Sequence, residues 1–205
     1  MTRVRPLSTD EVGPAVQEAV AKQTAQLGLV PNSLLTMAHR PEIASAWATL
    51  AGAVSGEGTV ERALKQLVAH VSSTAHGCRY CQAHTGHKAE GLGVEREKLQ
   101  AAWDYESSEL FTDAERAALR LAHHASLVPN EATDAHFDDL RQWFSDEQIV
   151  EIVAVIAMFG WLNRWNDTMA TTLEQPGLDW AREALAPARG WEAGMHDPQL
   201  DPTAA

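Results

Sequence analysis

The chain has 205 residues, 45% of them apolar, which suits one domain whose core needs no covalent staples. Asp and Glu outnumber Lys and Arg by 28 to 16, giving a net charge of −12. Such a surface disfavours nucleic acid and anionic membranes as partners, since both require neutralising cations. Met1 to Asp10 carry no signal-type apolar stretch, and the longest strongly apolar run, Ile152 to Leu162, falls short of the roughly 20 residues that span a bilayer. The expectation is a soluble cytoplasmic protein. Two cysteines are no disulfide framework, and a close pair in a reducing compartment is more often catalytic or metal-binding.

Taken in chain order, the pattern is helical nearly throughout, and the predicted fold class is all-α. A first helix is expected from about Thr9 to Gln26, bent or shortened at Pro14 and ending near Gly28. Val30 to Ser33 reads as a turn into a short helix. Pro41 starts another, to about Val54. A helix capped by Thr59 runs to about Ala75, Gly77 breaks it, and the next starts at Cys78 and ends near Gly91 and Gly93. A short helix from Glu95 to Trp103 follows, then Asp113 to Leu127 and Ala135 to Trp143. The longest helix is expected from Asp146 to about Thr171, with a centre apolar on every side, hence buried in the core or in a subunit interface. Ser8–Glu11, Thr112–Glu115 and Ser145–Gln148 fit the capping-box pattern. A short helix is predicted around Asp179 to Leu185, and the chain beyond Pro187 reads as loosely ordered.

The informative stretch runs from His70 to His87 around Cys78-x-x-Cys81. Residues i and i+3 share a helix face about 5–6 Å apart, within reach of a disulfide. Cys78 sits at a helix start, where free N–H groups and the helix dipole favour a thiolate. His84 returns to the face of Cys81 and can serve as base toward it or as acid toward a departing alkoxide. These two arguments leave open which cysteine reacts first. His70 lies on the preceding helix, on one face with Gln66 and Ser73, and a hairpin at Gly77 folds that face toward the cysteines. Zinc is the competing reading. Cys78, Cys81, His84 and His87 fan around one helix and cannot converge on a tetrahedral centre, although Cys78, Cys81 and His84 completed by His70 or His123 form a conceivable set. No metal or organic cofactor is expected. The chain has no glycine-rich phosphate loop, GxSxG elbow or HExxH.

At Gly77 to Thr85 the sequence resembles the carboxymuconolactone decarboxylase/AhpD-like alkylhydroperoxidase superfamily, and more narrowly its peroxidase-related branch. Leu29 to Asn32 with Met37 to Glu42, and Phe159 to Thr168, agree with it, so the likeness covers Leu29 to Glu174. It implies an AhpD-like helical bundle assembling as a homo-oligomer (dimer, trimer or hexamer), with residues 1–28 and 175–205 as extensions around a core of 29–174. It implies a thiol peroxidase: one cysteine attacks a hydroperoxide and becomes a sulfenic acid, the other resolves it to a disulfide, and a dithiol reductant of thioredoxin-like or lipoyl type restores the pair. Cys78, Cys81 and His84 match the family residues. The family's relay glutamate falls at Gln66, which cannot carry a proton, and His70 one turn on is the candidate substitute. True decarboxylases of the family lack the cysteine pair, which argues against lactone decarboxylation. The alternatives are a thiol–disulfide oxidoreductase with little peroxidase activity and a zinc-binding or structural oligomer.

Overall fold

A computed structural model of the chain describes residues 2–27 and 29–200, and among them all regular structure is helical. Eleven α-helices follow in order: α1 Pro14–Leu27, α2 Asn32–Met37, α3 Pro41–Ser55, α4 Arg62–His76, α5 Arg79–Gly91, α6 Arg96–Gln100, α7 Asp113–Ala125, α8 Asp134–Leu140, α9 Asp146–Met169, α10 Gln175–Ala184 and α11 Ala186–Arg189. Short 3₁₀ turns cover Ala102–Asp104, Gly194–His196 and Pro198–Leu200. No helix among the described residues is long and apolar enough to cross a membrane.

Local chemistry explains most boundaries. Thr112 with Glu115 and Ser145 with Gln148 form reciprocal capping boxes at the starts of α7 and α9. The Ser8 N–H also donates to Glu11, at 2.8 Å, but only one turn forms there. α1 begins at Pro14 instead, because proline lacks the N–H that a helix interior needs and suits the first turn. The expected end at Gly28 lies outside the described residues. α4 starts at Arg62, later than expected, because Thr59 and Val60 donate their N–H groups to the Glu151 carboxylate across the bundle.

α4 is the axis of the bundle, buried without interruption from Lys65 to Ser73 and packed against α5, α7 and α9. Lys65 is buried because its ammonium pairs with Glu151 and donates to the Gly56 carbonyl. Along α9, Ile152, Val155, Ile156, Met158, Phe159 and Leu162 face the core, whereas Val150, Val153 and Trp161 are exposed. The centre of α9 is therefore not enclosed by its own chain, and its outer face continues along the α3 residues Ile43 and Leu50 as an apolar groove.

The segment after Pro187 departs from expectation. Trp191, Ala193 and His196 are buried, and the Leu173 N–H donates to the His196 carbonyl at 2.9 Å. The segment carries no helical period, so its order is invisible to a periodicity argument; it is fixed by burial of the Trp191 indole against the core.

α10 packs across α5 at Gly86. A Cβ there would lie 2.1 Å from Trp180 Cη2, so glycine lets the indole lie on the helix while its Nε1–H donates to Glu90 at 2.9 Å. Gly86→Ala is expected to cost about 2 kcal/mol through overpacking. The midpoint of thermal unfolding then falls by roughly 4–8 °C. A midpoint equal to the parent's would show that this packing is not tight.

Candidate active site

The α4–α5 hairpin builds the sulfur pair. α4 ends at Gly77, whose φ of 88° is the left-handed conformation that glycine adopts without a Cβ penalty. Its N–H donates to the carbonyls of Ser73 and Thr74, and the Cys78 N–H donates to that of Ser73. Cys78 is then the N-cap of α5, and its Sγ accepts the Cys81 N–H at 3.4 Å. Both cysteines are free thiols and both are buried.

The two sulfurs have different surroundings. Cys81 lines a cavity of about 430 Å³ between α3, α4, α5 and α9, walled by Trp47, Tyr80, Met158, Phe159 and Leu162. Asn166 donates its Nδ2–H to Cys81 Sγ at 3.4 Å. Gln66 and Asn166 also line this cavity, and Gln66 Oε1 and Asn166 Oδ1 have no donor among the described residues. Cys78 lies behind, outside the cavity wall, beside Asp167 and His196. Burial, then the hydrogen bond and charge of the Cys81 sulfur, push the Cys78 thiol well above its ordinary value; His196 opposes the shift and Asp167 adds to it. The thiolate advantage expected from the helix start is thus outweighed at Cys78 by desolvation.

His84 stands one turn beyond Cys81 and lines the same cavity. Its Nε2 is 2.6 Å from Glu174 Oε2, and its ring lies 4.5 Å from that of Tyr80. The Glu174 carboxylate is 12% exposed. It also accepts the Tyr80 hydroxyl at 2.9 Å and the Asn32 N–H. Burial alone would raise this carboxyl, but the charge and hydrogen bond of His84, followed by the Asn32 N–H, outweigh it and hold it below the usual value.

His70 lies between the two helices, its Nδ1 at 3.1 Å from Thr85 Oγ1, while Thr85 donates to the Cys81 carbonyl at 2.7 Å. Burial lowers its pKa to about 4, against a smaller upward pull from the Gln82 backbone, so it is neutral at physiological pH. The hairpin thus brings Cys81, His84 and Gln66 to one cavity, with His70 behind Thr85 and Cys78 outside the wall. Sequence reasoning did not find Glu174. It drew nothing from His196. A signal did exist for Asp167, a charged residue near the end of an otherwise apolar helix. None existed for Glu174 or His196. The zinc set on Cys78, Cys81 and His84 with His70 or His123 does not assemble: His84 engages Glu174, His70 engages Thr85, and His123 on α7 packs with Trp103 and Tyr105.

Fold and site together define a helical protein whose hairpin carries a Cys-x-x-Cys pair and presents its second cysteine at a largely apolar cavity. The carboxymuconolactone decarboxylase family model matches residues 41–124. The debrominase Bmp8 is 35% identical in its apo crystal structure, over 90% of this chain and 98% of that one, with a TM-score of 0.83. A cysteine-to-alanine variant of Bmp8 has been solved with 2,3,4-tribromopyrrole. An AhpD-core, peroxidase-related protein from Ralstonia eutropha JMP134 shares the fold at 24% identity, covering 86% of this chain and 94% of that one, with a TM-score of 0.77. The Bacillus subtilis protein YdfG, itself uncharacterized, is 25% identical over 112 residues, 54% of this chain and 74% of its own. The chain belongs to the carboxymuconolactone decarboxylase family and has the fold of the AhpD-core protein.

Proposed function

We propose that this chain is a thiol-dependent reductase in which Cys81 and Cys78 deliver two electrons to a small hydroperoxide bound in the cavity. The observation that carries the reading is the division of labour at the pair: Cys81 faces the cavity beside His84, and Cys78 waits one turn behind it. The Cys81 thiolate attacks the outer peroxide oxygen, the O–O bond breaks, and the departing alkoxide takes a proton from His84. Glu174 fixes the His84 ring through its contact with Nε2. Cys78 then attacks the sulfenic sulfur of Cys81; the S–S bond forms, water leaves, and an external dithiol restores both thiols. The carboxylate missing at Gln66 is replaced in this reading by Glu174, which meets His84 from the N-cap of α10. We assign the relay role to Glu174 rather than to His70, whose hydrogen bond goes to Thr85.

A second reading is supported by the aromatic and aliphatic walls and by the likeness to a debrominase. In it the same pair removes bromine from a small aromatic ring: Cys81 takes up the halogen, the ring gains a proton, and Cys78 displaces bromide as the disulfide closes. Both readings use the same two electrons. The exposed faces of Ile43, Leu50, Val150, Val153 and Trp161 support a homo-oligomer.

Turnover with dithiothreitol separates the two substrates. Cumene hydroperoxide is expected to be consumed with one dithiol oxidised per turnover, while bromide release from 2,3,4-tribromopyrrole under the same conditions would move the assignment to the second reading. Absence of both reactions in protein with two titratable thiols would reject dithiol reduction of these substrates altogether.

A further inference from the structure

Behind the cavity, Cys78 is flanked by two titratable groups that have no role in the steps of the proposed function. The last turn of α9 supplies Asp167, and the 3₁₀ turn Gly194–His196 supplies His196. The Cys78 Sγ, an Asp167 carboxylate oxygen and a His196 ring nitrogen all lie within 4.8 Å of one another. His196 Nε2 is 3.2 Å from Asp167 Oδ1, and Nδ1 is 2.8 Å from the Thr171 carbonyl oxygen. Both ring nitrogens therefore face oxygen acceptors, which is the environment of an imidazolium carrying two N–H donors. The residue is 1% exposed, so the ring is shielded from solvent.

We propose that Asp167 and His196 are the acid–base pair of Cys78, forming a Cys–Asp–His triad that activates the second thiol for disulfide closure. The proposal rests on the dithiol reading given above. Cys78 needs such help because it is fully buried, and a lone thiolate there would lack compensation. The triad removes that obstacle by conserving charge. Before the step, it holds a neutral thiol, a carboxylate and an imidazolium. As the Cys78 sulfur attacks the sulfenic sulfur of Cys81, the thiol proton passes to Asp167, leaving thiolate, carboxylic acid and imidazolium with the same net charge. The S–S bond forms, the S–O bond breaks, and hydroxide leaves with the transferred proton as water. The peroxide of the first step is the oxidant, so no further reactant is required.

The electrostatics agree with this geometry. Burial would depress His196, but its bonds to Asp167, Cys78 and the Thr171 carbonyl raise it to about 9. Burial would likewise raise Asp167, but its bonds to His196 and Cys78 hold it low. The pair is consequently ionised at neutral pH. The C-terminal segment is thus part of the active site: its burial places His196, and through it the charge that faces Cys78.

The test separates the two chemical steps. Reduced protein is mixed with one equivalent of cumene hydroperoxide and quenched over time with dimedone, and mass spectrometry follows the Cys81 adduct and the Cys78–Cys81 disulfide. In Asp167→Asn and His196→Gln, peroxide consumption is expected within about threefold of the parent, while disulfide closure slows about tenfold or more, so the Cys81 adduct accumulates. Asp167→Glu is expected to regain part of the closing rate, which a merely structural role would not predict. The two variants lie on different elements, so misfolding of one leaves the other informative. Closure at the parent rate in a folded variant overturns the triad while leaving the dithiol reading intact. Equal slowing of both steps overturns it as well, as does stoichiometric zinc on parent protein purified without chelator that is lost in Asp167→Asn. Absence of both adduct and disulfide in the parent would instead reject the dithiol reading, and the triad with it.

Discussion

Cys81→Ser will reduce dithiol-coupled peroxide turnover by about 10³-fold or more, while Cys78→Ser will stop multiple turnover but leave the first attack intact. The asymmetry follows from position. Only Cys81 reaches the cavity, where Asn166 donates to its sulfur and His84 stands one turn away. Cys78 is enclosed, and burial and the neighbouring sulfur keep its proton on. Single-turnover mixing with a hydroperoxide and dimedone reads this directly: the Cys78→Ser protein carries the adduct on Cys81 in near-stoichiometric yield, and the Cys81→Ser protein carries none. Label on Cys78 in the Cys81→Ser protein would reverse the assignment, and the helix-start argument from the sequence would then have prevailed over burial.

Glu174→Gln will slow the first step by about 10²-fold, the scale at which a positioned acid–base group contributes. The amide still fits between Tyr80 and His84, but it carries no charge to set against the His84 ring. Rapid mixing under pseudo-first-order conditions checks the rate; a value within twofold of the parent would remove Glu174 from the mechanism. Stability provides a second readout with a defined sign. The Glu174 carboxyl is held below its ordinary value, so the unfolded chain binds more protons than the folded one as pH falls. The stabilisation is fully present above about pH 4.3 and is lost as pH drops through the folded-state value. At neutral pH the variant should be less stable by about 2 kcal/mol, the scale of a hydrogen bond to a charged group. Urea midpoints of the two proteins should converge as the pH falls through the folded-state value. A gap that stays constant in acid would mean the loss is one of packing rather than charge.

The sequence disclosed what is local. The capping boxes at Thr112 and Ser145, the break at Gly77 and the helix start at Cys78 are each set by residues within a few positions, and each appears in the structure. Cys78, Cys81 and His84 were legible for the same reason, since they share one helix start. What escaped is non-local. Glu174 reaches His84 across 90 residues and His196 reaches Asp167 across 29, and neither partner has a spacing that announces it. The tail was misjudged on similar grounds. Its proline and glycine residues erase periodicity, and its order depends on Trp191 finding a place in the core. Pro14 is a local signal of the same kind: of the two effects expected of it, bending or shortening the first helix, the chain shows the second, since α1 starts at Pro14.

The central claim is that the two sulfurs act as one two-electron donor. Reduced protein, treated with one equivalent of cumene hydroperoxide and alkylated under denaturing conditions, should lose both titratable thiols and about 2 Da of mass, and dithiothreitol should restore them. Two thiols surviving the oxidant, or a stable gain of oxygen on Cys81 with Cys78 still free, would contradict it.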